Sequence, residues 1–255
     1  MKRYQKKNKP APGSYQKRKY RNLIERSGLL SFEVQVRETD LHILAEKDLA
    51  EAALQHVFEL RNQLESYIAN NPDFLQSLNP VDFDPLAPPI VKDMMRASEK
   101  ANVGPMAAVA GITAQYVGQR LMQNYGISEV VVENGGDIFL SRKQDCSIAI
   151  FAGTSPLSNN IAVKLKANQM PIGICTSSAT VGHSISFGQA DAITVVSKNV
   201  ALADVVATRL GNETKKIDDI NQALEIGAAI EGVNGIVIIH GEQLGAWGDI
   251  ELTGL

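Results

Sequence analysis

From Leu30 to Arg37 apolar and polar residues alternate strictly, with Leu30, Phe32, Val34 and Val36 on one side and Ser31, Glu33, Gln35 and Arg37 on the other. A period of two predicts a half-buried strand. Glu38 to Asp40 turn the chain, and Leu41 to Ala45 read as the second arm of a hairpin. The period then lengthens. Leu49, Ala53, His56, Leu60, Leu64 and Ile68 recur at three- and four-residue steps, predicting a long amphipathic helix with Asp48 as its N-cap and Asn70-Asn71-Pro72 as its stop. Residues 72–90 hold Pro72, Pro80, Pro85, Pro88 and Pro89 among apolar side chains, too hydrophobic for a disordered linker, and predict a packed, irregular cover. Helical pattern resumes near Ile90. Gly104-Pro105 opens a further helix whose first half, Met106 to Gly111, is built from small residues that allow either a close helix–helix approach or a ligand against its N-terminus.

Beyond Gly126 the pattern returns to short strands. Glu129–Val132 and Asp137–Leu140 flank Asn134-Gly135-Gly136 as a hairpin, and further strands are expected near 146–151, 161–166, 171–175 and at Ile193–Val196. A helix is expected from Asn199 or Val200 to Gly211, another near 218–229, and a final strand pair at Gly235–His240 and Leu244–Trp247. Hairpins, then helices, then hairpins predict an α+β fold, without the βαβ alternation of a dinucleotide-binding sheet. The expected organisation is a flexible basic tail at 1–21 and one α+β domain over 22–255, whose element order leaves room for two structurally similar halves.

The 255 residues, 44% of them hydrophobic, suffice for a large core. The net charge of −3 hides an asymmetry. Residues 1–21 carry nine of the 25 Lys and Arg and no acid, leaving 16 bases against 28 acids, or −12, in the remainder. An acidic body argues against a nucleic-acid surface, although the tail itself could touch RNA or an acidic patch. No apolar run is long enough to span a membrane, and the amino terminus lacks a secretory apolar region, which together predict a cytoplasmic protein without membrane partners. Cys146 and Cys175 form no C-x-x-C pair and read as small buried hydrophobes.

Three stretches carry candidate chemistry. In Ala203-Asp204-Val205-Val206-Ala207-Thr208 a carboxylate and a hydroxyl stand four residues apart on one helical stripe, as hard ligands for Mg²⁺ should. The neighbours Val200, Ala203, Val206, Ala207 and Leu210 leave little solvent there, so a buried Asp204 needs a cation or a hydrogen-bond cluster. Asn134-Gly135-Gly136-Asp137 is a strong turn signal by itself, and its glycines also bare the backbone to a ligand. Thr176-Ser177-Ser178 ends an apolar strand, with His183 just beyond as a candidate base and the serines and threonine as candidate anion contacts. The plain alternatives are a structural turn, a helical Asp–Thr pair and a packed histidine.

In this order and spacing, Asn134-Gly135-Gly136-Asp137-Ile138, Thr176-Ser177-Ser178 with His183, and Ala203-Asp204 with Ala207-Thr208 resemble motifs of the ApbE-like superfamily, whose named members are Mg²⁺-dependent FAD:protein FMN transferases. Gly104-Pro105-Met106-Ala107 and Gly182-His183-Ser184 bring the resemblance nearer to an uncharacterised UPF branch, over most of residues 20–212. The resemblance implies a two-layer, T-fold-like α+β fold of antiparallel sheet covered by helices. It also implies Mg²⁺ held by Asp204, Thr208 and a main-chain carbonyl near Thr113, gripping the FAD pyrophosphate, while Asn134, Gly135, Gly136, Asp137, Thr176, Ser177 and Ser178 line the flavin-nucleotide pocket. His183 would serve as base while an acceptor-protein hydroxyl attacks the FMN-side phosphorus. Two positions depart from the transferases. Thr113-Ala114-Gln115 stands where they carry a lysine, and Ser184-Ile185 follows His183 where they carry Asp-Pro.

Three readings therefore stand side by side: an Mg²⁺-dependent transferase acting on FAD, a non-catalytic binder of a flavin, nucleotide or other anionic metabolite, and an interaction protein working through the basic tail.

Overall fold

The computed structural model describes residues 28–178 and 188–255. The basic tail at 1–21, and Thr180, Gly182, His183 and Ser184, lie outside the described residues. Strands β1 (Leu30–Val36) and β2 (Thr39–Ala45) form the first hairpin, turning at Arg37-Glu38 with Arg37 at positive φ. Helices α1 (Ala50–Asn70), α2 (Pro72–Gln76), α3 (Pro89–Ala101) and α4 (Val109–Tyr125) follow, α4 being led in by a 3-10 turn at Pro105–Ala108. The segment over 72–90 is irregular apart from the short α2, where Pro72 supplies the first helical residue, but it is less packed than expected: Phe74 and Ala87 are buried, whereas Leu75, Leu78, Phe83 and Leu86 are exposed. Asp48 lies one residue before the cap of α1, yet its carboxylate still accepts the Ala50 N–H at 3.1 Å.

The second half of the chain supplies β3 (Val130–Asn134), β4 (Asp137–Ser141), β5 (Cys146–Ala149), β6 (Ile161–Leu165), β7 (Ile172–Ser177) and β8 (Ala192–Ser197), then helices α5 (Val200–Glu213) and α6 (Ile220–Ala228), and finally β9 (Val233–His240), β10 (Gln243–Gly248) and β11 (Glu251–Gly254). Gly211 does not end α5, contrary to the sequence expectation. The helix runs to Glu213 and closes on Thr214, whose N–H and hydroxyl both bond the Leu210 carbonyl. β11 has no counterpart in the sequence reading, because Glu251-Leu252-Thr253-Gly254 is too short and mixed to show a period.

Eight strands form one antiparallel sheet in the order β1-β2-β3-β4-β7-β8-β9-β10, and β11-β6-β5 form a smaller one. Each half of the large sheet follows the same course: hairpin, helices, hairpin. Side chains alternate between its faces. Leu41, Ile43, Val130, Val132, Phe139, Cys175, Ile193 and Val195 pack against the helices in the main core. Leu44, Val131, Ile138, Leu140, Ile172, Ile174 and Val196 face the other way, onto Ile150, Val163 and Leu165 of the small-sheet side. The helix-on-sheet α+β architecture is thus present, with the small sheet added behind it.

Two glycines let α5 enter this packing. A side chain at Gly111 of α4 would meet the Val200 carbonyl at 2.8 Å and Asp204 Cβ at 2.9 Å, and one at Gly173 of β7 would meet Val200 Cγ2 at 2.8 Å. Small residues therefore bring the first turn of α5 against both α4 and the sheet, and Asp204 goes inside with it.

Candidate functional site

Asp204 sits in the first half of α5, 8% exposed. Its Oδ2 accepts the Gly111 N–H at 2.8 Å, and the Ala110 N–H also supports it. Both amides belong to the first turn of α4, where helical N–H groups lack carbonyl partners. The carboxylate thus caps a neighbouring helix from outside it. On the other side of this turn the Ala110 carbonyl accepts Asn134 Nδ2 at 3.1 Å, joining the end of β3 to the same two residues.

Gly135 and Gly136 are the two central residues of the β3–β4 hairpin, with φ of +72° and +107°, so Asn134 is the last strand residue and pairs with Asp137. Positive φ at both positions is what a tight hairpin turn demands and glycine supplies. Asp137 is 8% exposed and shares its sheet position with Cys175, its cross-strand partner. Burial, and secondly the Asp137 charge, push the Asp204 carboxyl well above the usual carboxylate range, against the lowering effect of the α4 amides. Burial, and after it the charges of Asp137 and Asp204, push the Cys175 thiol up, and its Sγ donates to the Val200 carbonyl at 3.5 Å. Among the described residues, no lysine, arginine or histidine is ion-paired with Asp204.

The structure gathers Asn134, Gly135, Gly136, Asp137 and Asp204 with Ala110, Gly111 and Cys175. Ser177 ends β7 on the Cys175 face, and Ser178 follows it; both are half-buried. Thr176 points the opposite way. Its hydroxyl lies 2.9 Å from that of Thr194 on β8, behind the sheet, and only its backbone reaches the turn, donating N–H to the Gly136 carbonyl at 3.1 Å. Thr113 is also set apart. It lies two residues beyond Gly111, about 200° around a helix of 3.6 residues per turn, and its hydroxyl is tied to the Val109 carbonyl at 2.6 Å. The α4 residues whose amides reach Asp204 are Ala110 and Gly111. Thr208 follows Asp204 by one turn of α5 and is half-buried. The N-terminus of α5 is closed to anions: Val200 N–H bonds Gln115 Oε1 at 2.8 Å and Leu202 N–H bonds Asn199 Oδ1 at 3.0 Å.

From the residues alone Cys175 is a small buried hydrophobe, which it is, and neither it nor Ala110 or Glu133 shows a role at this site. Cys175 looked like any apolar strand residue, and only the Gly111 neighbourhood signalled close approach, without naming its partner.

A family described as AbpE bacteria matches residues 21–251. The chain belongs to it. UPF0280 proteins are its curated relatives: that of Methanococcus maripaludis (strain C5) is 41% identical over 226 residues, 86% of this chain and 91% of that protein, and that of Methanocaldococcus jannaschii is 41% identical over 221 residues, 84% and 89%. Among solved structures, a mutant of the flavin transferase ApbE from Vibrio cholerae superposes with a TM-score of 0.56 at 12% identity, covering 86% of this chain and 96% of that one. The ApbE protein of Thermotoga maritima gives 0.54 at 13%, covering 85% and 96%. At such identity the likeness is one of fold. This UPF0280 member therefore has the ApbE-like architecture, and among its described residues no helix is long and apolar enough to cross a membrane.

Proposed function

We propose that this UPF0280 chain binds a flavin nucleotide, FAD, together with Mg²⁺, and transfers the FMN portion to a hydroxyl of an acceptor protein. The observation that carries the reading is the Asp137–Asp204 neighbourhood: two buried acids, of which Asp204 is pushed above the usual carboxylate range by burial first and by the Asp137 charge second, with no side-chain cation paired to Asp204 among the described residues. A divalent cation relieves both the repulsion and the desolvation. The donor set suits a hard ion, being oxygen throughout. Among the described residues no three His, Cys, Asp or Glu side chains converge with metal-binding spacing, so Asp204 and Asp137 would be completed by the Thr208 hydroxyl, main-chain oxygen and ligand phosphate, as Mg²⁺ commonly is. The bound ion would neutralise charge developing on the pyrophosphate. The chain's own residues would orient the nucleotide: Asn134, Gly135, Gly136 and Asp137 at the turn, Ser177 and Ser178 at the end of β7, and the Thr176 backbone behind them. His183 is the proposed base, and the cytoplasm the proposed compartment.

Incubation with FAD, Mg²⁺ and cell extract as the source of acceptors, followed by chromatography and in-gel flavin fluorescence, tests this directly. AMP release with a flavin-labelled protein is the expected result; no AMP, or undiminished AMP from Asp204→Asn, contradicts it. A second reading, binding without transfer, is favoured by one observation. In the Thr113-Ala114-Gln115 stretch, where the resemblance places a transferase lysine, the one long polar side chain is Gln115, a neutral amide that accepts the Val200 N–H. FAD affinity without AMP release would select it.

A further inference from the structure

The Gly135–Gly136 turn is held from behind. Glu133 is fully buried on the sheet face away from the helices, and its Oε1 accepts the Gly136 N–H at 2.9 Å. The Gly136 carbonyl accepts the Thr176 N–H at 3.1 Å, so both polar backbone groups of that glycine are occupied. Two successive glycines have more conformational freedom than any other pair, and a turn made of them keeps one shape only if something fixes it. The residue that follows is Asp137, the acid beside Asp204 and Cys175. How the turn delivers the chain into β4 therefore sets where that carboxyl stands.

Building on the flavin-nucleotide reading, we propose that Glu133 is a positioning residue for this site: by reaching the Gly136 amide it fixes the turn, and through the turn Asp137. The same bond leaves the Gly136 amide unavailable to a ligand phosphate. The turn then supplies shape rather than anion binding at the Gly136 amide, and phosphate recognition would fall to a cation held with the help of Asp204 and Asp137.

Two variants separate reach from charge. Glu133→Gln keeps the length and an oxygen for the Gly136 N–H but loses the charge; Glu133→Asp keeps the acid but is one methylene too short. Calorimetric titration of each with FAD in the presence of Mg²⁺, alongside hydrogen exchange of the ¹⁵N-labelled Gly136 amide, reads both consequences. The expected result is FAD affinity within threefold of wild type for E133Q and at least tenfold weaker for E133D, with Gly136 protection retained in the first and lost in the second. E133D binding like wild type overturns the proposal, as does E133Q weakened as far as E133D. Should E133D fail to fold, E133Q alone decides, because loss of affinity or of Gly136 protection in that folded variant contradicts positioning by reach. Wild-type protein without FAD affinity overturns the flavin reading instead, while a wild-type Gly136 amide that exchanges freely overturns the role of Glu133 independently.

Discussion

Glu129 and Asp204 are both withdrawn from solvent, but Glu129 has an arginine against it and Asp204 has another acid. Glu129 Oε1 accepts Arg142 Nε and the Lys143 N–H, each at 3.0 Å, at the end of the β3–β4 hairpin far from its turn. The Lys143 amide first, and Arg142 after it, hold the Glu129 carboxyl below its usual range. Among the described residues Asp204 has amide donors only, and burial and then Asp137 push it the other way. The two ends of the β3–β4 hairpin thus lie beside a completed charge pair and beside an acid with no charge partner among the described residues. A completed pair explains itself as structure, whereas an uncompensated buried acid points to something the chain binds.

The largest expected effect breaks the completed side. Glu129→Ala leaves Arg142, whose side chain is 6% exposed, without its carboxylate, and should lower unfolding free energy by about 3 kcal/mol in urea titrations. A loss under about 1 kcal/mol would mean the pair is not the anchor described. Next, Gly111→Ala puts a methyl 2.8 Å from the Val200 carbonyl and 3.2 Å from Asp204 Oδ2. It should cost about 1–3 kcal/mol by overpacking and weaken Mg²⁺-dependent FAD binding at the same time; thermal melts and calorimetry on one sample check whether the two losses travel together.

Smaller effects sharpen the contrast through pH. Asp204 has a folded-state pKa raised above its unfolded value, so its contribution to stability is present at low pH and declines as pH rises from the usual carboxylate range toward the raised value. Glu129 is lowered, so its contribution is present above the ordinary carboxylate pKa and is lost as pH falls through the folded value. Without metal, Asp204→Asn should stay within about 1 kcal/mol of wild type at neutral pH, since an amide oxygen can still accept the Gly111 N–H. It should also flatten the decline that wild type shows as pH rises above the usual carboxylate range. Melting curves across pH that superpose for both proteins would remove the argument that Asp204 is buried at electrostatic cost.

Much of this architecture was legible in the residues because its strands and long helices bury one stripe each: the β1 alternation and the α1 repeat carry their own period. Asp204 stood out for a related reason, being a charge set among Val200, Ala203, Val206 and Ala207. What could not be read locally was set by partners distant in sequence. The side chain of Thr176 faces Thr194 because strand register gives it the face opposite Cys175, and one residue of register decides that. Ala110 and Gly111 meet Asp204 from α4 two to three residues before Thr113, a contact between helices distant in sequence. Gly211 resembles a helix stop, yet Thr214 closes α5 one turn later. Glu133 passes in sequence for the outward residue of a hairpin strand, and only the fold shows it turned back onto Gly136.

The central claim is that Asp204 and Asp137 hold a cation that in turn holds a nucleotide. Calorimetric titration of FAD into the protein with Mg²⁺ and with EDTA, for wild type and for folded Asp204→Asn, addresses it most directly. The account predicts saturable binding by wild type in Mg²⁺, at least tenfold weaker in EDTA, and binding by Asp204→Asn that is weak and indifferent to Mg²⁺. Equal FAD affinity in all four titrations would contradict it.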